Sequence, residues 1–145
     1  MKDDTPPAPP LTSEEKRRLH EIFAEVPFAH LLGITLDDVG RGTATLGLVI
    51  RDELRRNGGI THGGATASLI DSAAAFAIMT LLEPGQSTTT IDLTIHYLRP
   101  LLEGRARAQA RVIRAGRRVA VVSVDVLNEA EVVAATAVTT YLRLS

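Results

Sequence analysis

Apolar residues along this chain recur with two different spacings, one helical and one strand-like. From Leu19 onwards they follow a helical period after a candidate N-cap at Thr12, and Pro27 ends the segment. This pattern predicts a first helix over residues 12–26. Residues 62–82 are apolar on nearly all sides, which is typical of a helix buried on most of its surface. We therefore expect one outer helix followed by one long central helix.

Six further segments have the composition or the alternation of β-strands. In residues 105–112, arginine or glutamine alternates strictly with alanine or valine, so one face should be in water and the other in a core. The predicted strands are residues 33–39, 43–50, 87–98, 104–114, 117–128 and 131–142. This order of elements predicts an α+β fold in which a curved antiparallel sheet wraps around the central helix.

The N-terminal segment differs in composition from the rest of the chain. Residues 1–11 are rich in proline and lack recurring apolar positions, which predicts a disordered tail. After the helix at 12–26, residues 27–145 are expected to form a single folded domain. A chain of 145 residues is long enough to bury a sizeable core.

Charge and residue usage exclude several classes of protein. A net charge of −1 gives no global attraction to nucleic acid or to an anionic membrane surface. The chain has no cysteine, which excludes disulfides and thiol nucleophiles, and its four histidines lack the spacing of metal ligands. Acids and prolines stand where a signal peptide needs an apolar run, and the central helix carries Asp71. We therefore expect a cytoplasmic protein without metal, nucleic acid or membrane partners.

Asp71 is the candidate functional residue with the clearest signal. It ends the stretch NGGITHGGATASLID, residues 57–71, and is the only acid between Glu53 and Glu83. A carboxylate that is buried without a partner costs several kcal/mol, so such a residue persists mainly where it is paired or used. In the structural interpretation, the carboxylate is held by Ser68, Ser72 or a helix end. In the functional one, it takes part in chemistry.

Two motifs resemble the hotdog-fold acyl-CoA thioesterases of the PaaI-like, phenylacetate-pathway type. The first is His62-Gly63-Gly64 with an aspartate nine positions after the histidine, and the second is the run TIDLTIHYLRP over residues 90–100. The resemblance extends over residues 27–142. It implies a hotdog fold and hydrolysis of acyl-CoA to a free acid and coenzyme A, which is part of the substrate rather than a cofactor. It also implies dimers that pair into a homotetramer.

The glycines that open the central helix fit this chemistry. The first N–H groups of a helix are unpaired and lie at its positive end, and glycine lets a substrate approach closely. Such an end can stabilise a developing oxyanion. The resemblance implies that the Gly63 N–H is the donor, and Gly64 beside it is a candidate for binding the coenzyme A substrate. It also implies that Asp71 is a general base or a nucleophile, and that Thr90 holds the water.

Two further residues near the motif each have two alternative interpretations. His62 could act as a base, but it precedes the helix start, and the resemblance implies that it mainly shapes the turn. Relatives usually carry an asparagine six positions before this histidine, where this chain has Arg56, and Asn57 is five positions before it. Either the loop shifts by one residue and Asn57 orients the water or the substrate carbonyl, or this chain lacks an asparagine with that role.

Positive charge is concentrated in one part of the sequence. Between Arg99 and Arg118 there are seven arginines and a single acid, Glu103. The functional interpretation is an anchor for the phosphates of coenzyme A, formed mainly by Arg99, Arg117 and Arg118. The alternative is a solvated strand face.

The spacing of the two main candidates predicts an oligomer. Gly63 and Asp71 are eight residues apart, hence roughly 12 Å along a helix. One thioester carbon cannot lie about 3 Å from both. If both act, they come from different chains about a two-fold axis, which predicts a homodimer with shared active sites.

Three other functions compete with thioester hydrolysis. A hotdog dehydratase or hydratase would pair a catalytic histidine with a carboxylate and would lack the HGG-to-Asp71 arrangement. A non-catalytic acyl-CoA-binding regulator would carry a DNA-binding domain, for which the roughly 26 residues before the fold are too few. A structural dimer without activity would have no need of Asp71.

Overall fold

In the computed structural model, which describes residues 7–145, the chain forms three α-helices, one 3₁₀ helix and six strands within that range. The helices are α1 (Ser13–Ala24), α2 (Pro27–Leu32) and α3 (Gly63–Met79), with the 3₁₀ helix at Asp52–Leu54. The strands are β1 (Ile34–Gly40), β2 (Thr43–Val49), β3 (Ser87–Tyr97), β4 (Arg105–Ala115), β5 (Val119–Leu127) and β6 (Val133–Leu144).

All six strands belong to one antiparallel sheet, in the order β1-β2-β4-β5-β6-β3. Helix α3 packs on this sheet and is the centre of the core, because its sheet-facing residues are fully buried. These residues are Leu69, Ile70, Ala73, Ala74 and Ala77. Their mostly small side chains let the sheet wrap closely around the helix. The predicted arrangement of a curved antiparallel sheet around a central helix is confirmed.

The first helix begins where the sequence predicts. The Thr12 side chain accepts the Glu15 N–H, and the Glu15 carboxylate accepts the Thr12 N–H, which forms a capping box. The second helix was not predicted, because Pro27 was interpreted only as the end of the first. Proline is favoured at the first position of a helix, where its missing N–H costs nothing, and here it begins α2.

Helix α1 packs against the sheet and α3. Leu19 and Phe23 are buried, and the Phe23 ring packs edge-to-face against Phe76 of α3 at 5.2 Å. Arg41 donates to the carbonyls of Pro9 and Thr80 and forms an ion pair with Glu15. Helix α1 is therefore held against the rest of the domain by apolar packing and by the contacts of Arg41.

The predicted tail, residues 1–11, lies only partly within the described part of the chain. Its first six residues lie outside the described part of the chain, so disorder there stays a prediction. Residues 7–11 form no helix or strand, and Leu11 is buried in the core. Among the described residues, no helix has the length and apolarity required to cross a bilayer.

Strand β3 is a long edge strand. It pairs with β6 on one side only, and Ile91 in its middle is 55% exposed. The pairing register slips between Thr90 and Asp92, which indicates a β-bulge at that point. An unprotected edge of this length can pair with a strand of another chain.

Candidate functional site

Asp71 lies in the middle of α3, half-buried, with one oxygen held by two hydroxyl groups. Thr90 donates to Oδ1 of Asp71 at 2.9 Å, and Tyr141 donates to the same atom at 2.6 Å. The Tyr141 hydroxyl is also 2.7 Å from the backbone oxygen of Asp71. No hydrogen bond within the described residues involves Oδ2. The carboxylate is thus fixed through one oxygen and free at the other.

The register of two strands places these hydroxyls together. Thr90 on β3 and Tyr141 on β6 are direct cross-strand partners, so their side chains leave the same face of the sheet towards α3. Ser68, which could have held the carboxylate, donates to the Gly64 carbonyl instead. The partners of Asp71 therefore come from the sheet and not from its own helix.

Tyr141 was not identified from the sequence. It is 2% exposed, and burial together with its hydrogen bond to Asp71 raises the pKa of its hydroxyl. The group therefore stays protonated at neutral pH and acts as a donor. The one available signal was a single tyrosine on the buried face of a predicted strand, since a buried tyrosine usually finds a hydrogen-bond partner.

A pocket of about 320 Å³ opens beside Asp71. Thr88, Thr89, Thr90 and Tyr141 form its polar side. The opposite side is apolar and comes from α1, α2 and α3, through Phe23, Val26, Ala29, Ala75 and Phe76. The pocket therefore joins a carboxylate to a surface that can hold a hydrocarbon group.

The start of α3 has one N–H group without a partner. His62 is the N-cap, and its Nδ1 accepts the Gly64 N–H at 2.8 Å. The Gly63 N–H makes no hydrogen bond within the described residues, while the Gly63 carbonyl accepts from Tyr97 at 2.9 Å. Gly63 lines a second pocket, of about 350 Å³, with Thr61, Tyr97 and Arg99. A free donor at the positive end of a helix can stabilise an oxyanion there.

The remaining motif residues have different positions. The bond from Gly64 means that His62 shapes the turn and that the Gly64 N–H is already used. Both residues line another cavity, between α2 and the start of α3. Asn57 is exposed in the preceding turn and does not line the pocket beside Gly63, whereas Arg56 does.

The arginines fall into separate groups. Arg105 and Arg107 form ion pairs with Asp37 and Glu131, so these two have structural partners. Arg99 donates to the carbonyl of Val133 at one end of β6, near Gly63. Arg117 and Arg118 lie near the other end, where the Arg118 carbonyl accepts from Arg143. Positions 133 and 143 of a strand are roughly 33 Å apart, so one chain does not bring Arg99 and the Arg117-Arg118 turn together.

Gly63 and Asp71 line different pockets of the same chain. One pocket therefore contains a free backbone donor, and the other contains a carboxylate with a free oxygen.

Comparison with known proteins gives consistent results. Residues 58–135 match the Thioesterase superfamily. A Salmonella typhimurium protein named medium/long-chain acyl-CoA thioesterase YigI is 32% identical, over 91% of this chain and 96% of that protein. The structure of the Escherichia coli PaaI protein from the phenylacetic acid degradation operon has a TM-score of 0.85 at 24% identity, covering 93% of this chain and 96% of that one. A conserved protein from Pseudomonas aeruginosa has a TM-score of 0.80 at 30% identity, covering 88% and 98%.

Proposed function

Because the chain belongs to the thioesterase superfamily, we propose that it hydrolyses acyl-CoA thioesters to a free acid and coenzyme A. The observation that carries the proposal is the free N–H of Gly63 at the positive end of α3. In thioester hydrolysis, negative charge develops on the carbonyl oxygen, and a preorganised donor at that point stabilises the transition state. The Salmonella relative is named for the same substrate class.

Asp71 provides the base or the nucleophile of the reaction. Its free Oδ2 either takes a proton from the attacking water or attacks the carbonyl carbon itself, forming an anhydride that water then cleaves. In both routes the C–S bond breaks and coenzyme A leaves as its thiol. Thr90 donates a hydrogen bond to Asp71 and keeps lone pairs that can accept from the water.

The Gly63 N–H and the Asp71 carboxylate of each active site come from different subunits of a dimer. Gly63 and Asp71 line different pockets, and their separation of roughly 12 Å on one helix prevents them from acting on the same carbon. An antiparallel second copy would bring its Asp71 to this chain's Gly63. The unpaired edge of β3 is available for that contact. We expect a homodimer with two shared sites, and a homotetramer formed from two such dimers.

The pocket beside Asp71 receives the acyl group. Its apolar side matches a hydrocarbon chain, and its volume of about 320 Å³ exceeds what an acetyl group needs. The name of the Salmonella relative, medium/long-chain acyl-CoA thioesterase, agrees with such an acyl group. The outer helices α1 and α2 therefore take part in substrate selection.

Filling this pocket should change chain-length preference. Ala75 is half-buried, lines the pocket from α3, and stands where a leucine suits the helix. We expect Ala75→Leu to lower kcat/KM for a dodecanoyl thioester about tenfold or more relative to the acetyl thioester, since the added side chain takes up acyl space. The ratio of the two substrates on one preparation removes the effect of misfolded protein. A ratio equal to that of the parent protein would show that the acyl group lies elsewhere.

The basic turn should bind the nucleotide part of the substrate. Arg117 and Arg118 are exposed, and their side chains make no hydrogen bond or ion pair within the described residues, so they are available for phosphates. Replacing both with alanine should raise KM for acyl-CoA several-fold and leave the kinetics of an acyl-N-acetylcysteamine thioester unchanged. Arg105→Ala, which removes an arginine already paired with Asp37, is the control. If the double variant has the same KM for acyl-CoA as the parent, Arg117 and Arg118 are solvated surface residues and do not bind the phosphates.

The function itself is tested by measuring free thiol released from a panel of acyl-CoA thioesters of different chain length. Release above the uncatalysed rate, saturating with substrate, is expected. Binding of acyl-CoA without thiol release would instead identify a non-catalytic binding module.

A further inference from the structure

The hydroxyl of Tyr141 is placed to decide which oxygen of Asp71 reacts. It contacts Oδ1 at 2.6 Å and the backbone oxygen of the same residue at 2.7 Å, so it spans the aspartate from main chain to carboxylate. Its single proton is shared between these two oxygens, and the bond to Oδ1 restricts rotation of the Asp71 side chain. Thr90 adds a second bond to the same Oδ1. Every hydrogen bond of this carboxylate within the described residues therefore falls on one atom.

We propose that Tyr141 is a positioning residue that occupies Oδ1 of Asp71 and leaves Oδ2 as the reacting atom. The inference rests on the proposed function and deepens it by assigning the orientation of its carboxylate. Tyr141 does not itself touch the substrate carbonyl. It acts through Asp71.

The Tyr141 side chain that makes this contact is buried. Tyr141 is 2% exposed on β6, so in the folded protein its hydroxyl, and not bulk water, is the donor to Oδ1 on that side. Loss of the hydroxyl would leave Asp71 with Thr90 alone and free its carboxylate to turn. A small displacement of a reacting group costs rate steeply.

Among the described residues, no charged side chain in the pocket competes with Tyr141 and Thr90 for the Asp71 carboxylate. Among the residues that line the pocket around Asp71, Tyr141 is the one other titratable side chain, facing it from β6. The lining residues from α1, α2, α3 and β3 carry no other charge. The orientation of the carboxylate therefore depends on the hydroxyls of Tyr141 and Thr90 and not on a charged neighbour.

The test compares Tyr141→Phe with Thr139→Val and the parent protein. Thr139 lies two positions earlier on β6, is equally buried, and donates to the Asp92 carbonyl, so its variant loses a buried hydroxyl on the same strand without touching Asp71. For Tyr141→Phe we expect kcat about tenfold lower or more, with KM little changed. Thr139→Val should keep the kcat and KM of the parent while losing thermal stability.

Each outcome decides the question. A Tyr141→Phe protein with parental kcat overturns the inference, whatever its melting temperature. If the parent protein releases no thiol, the proposed function fails and the inference fails with it. Should Tyr141→Phe not fold, 4-fluorophenylalanine placed at position 141 keeps the ring and fills the space of the hydroxyl without a hydrogen-bond donor. Its kcat should also fall about tenfold or more, and a parental kcat would again overturn the inference.

Discussion

Replacing Asp71 with asparagine should lower kcat by about 10²-fold or more, the range for loss of a general base. The amide keeps the volume, and its oxygen can still accept from Thr90 and Tyr141, so the local geometry is preserved. What disappears is the charge and basicity of the free oxygen. Steady-state thiol release, normalised to the folded fraction, measures the effect.

Stability separates a chemical role from a structural one. A half-buried carboxylate that serves catalysis costs stability, so Asp71→Asn should unfold at the same temperature as the parent or slightly higher. The matched control is Asp125→Asn, an exposed aspartate on β5 that accepts from Thr136 at 2.8 Å. That variant should keep parental kcat. An Asp71→Asn protein that turns over like the parent but melts lower would assign the carboxylate to the fold.

The parts of the fold that could be predicted are those with a local signal. The spacing of apolar residues identified the central helix and all six strands, because each pattern repeats within one element. Helix α2 was missed because Pro27 fits both the end of one helix and the start of the next. A choice between these depends on the packing of the following residues, which the local sequence does not reveal.

In the candidate site, too, residues with a local sequence signal could be predicted and residues that depend on strand pairing could not. Gly63, Asp71 and Thr90 stand in motifs that can be recognised along the chain. Tyr141 could not be recognised, because its role depends on the register between β3 and β6, which pairs it with a residue 51 positions earlier. The ion pairs of Arg105 and Arg107 also join distant segments, so the sequence could not distinguish structural arginines from free ones.

The backbone donor of Gly63 can be removed with little change to the chain. Gly63 is the first residue of α3, a position that proline favours, and His62 before it has the extended backbone that a residue preceding proline requires. Gly63→Pro therefore deletes the N–H while keeping the helix start. We expect kcat to fall by 10²- to 10³-fold, the usual loss for one oxyanion-hole donor. A melting curve close to that of the parent would show that the fold is intact.

Gly63→Ala is the matched control for this variant. It keeps the N–H and adds a Cβ that would lie 3.4 Å from the Tyr97 ring, a contact that a small shift of this exposed side chain relieves. Its kcat should stay within a few-fold of the parent. If alanine and proline reduce kcat equally, the loss comes from crowding at Tyr97, and the free N–H has no part in catalysis.

Mixing the two inactive variants tests whether each site is shared. Neither Asp71→Asn nor Gly63→Pro alone can build a complete site, but a heterodimer contains one site with the intact Gly63 of one chain and the intact Asp71 of the other. Random pairing after joint refolding makes half of the dimers mixed, each with one working site of two, so activity should return to about a quarter of the parent value. If each site lay within a single chain, no mixture could regain activity. Light scattering on the same sample should show a dimer or a tetramer, and an active monomer would contradict the shared site directly.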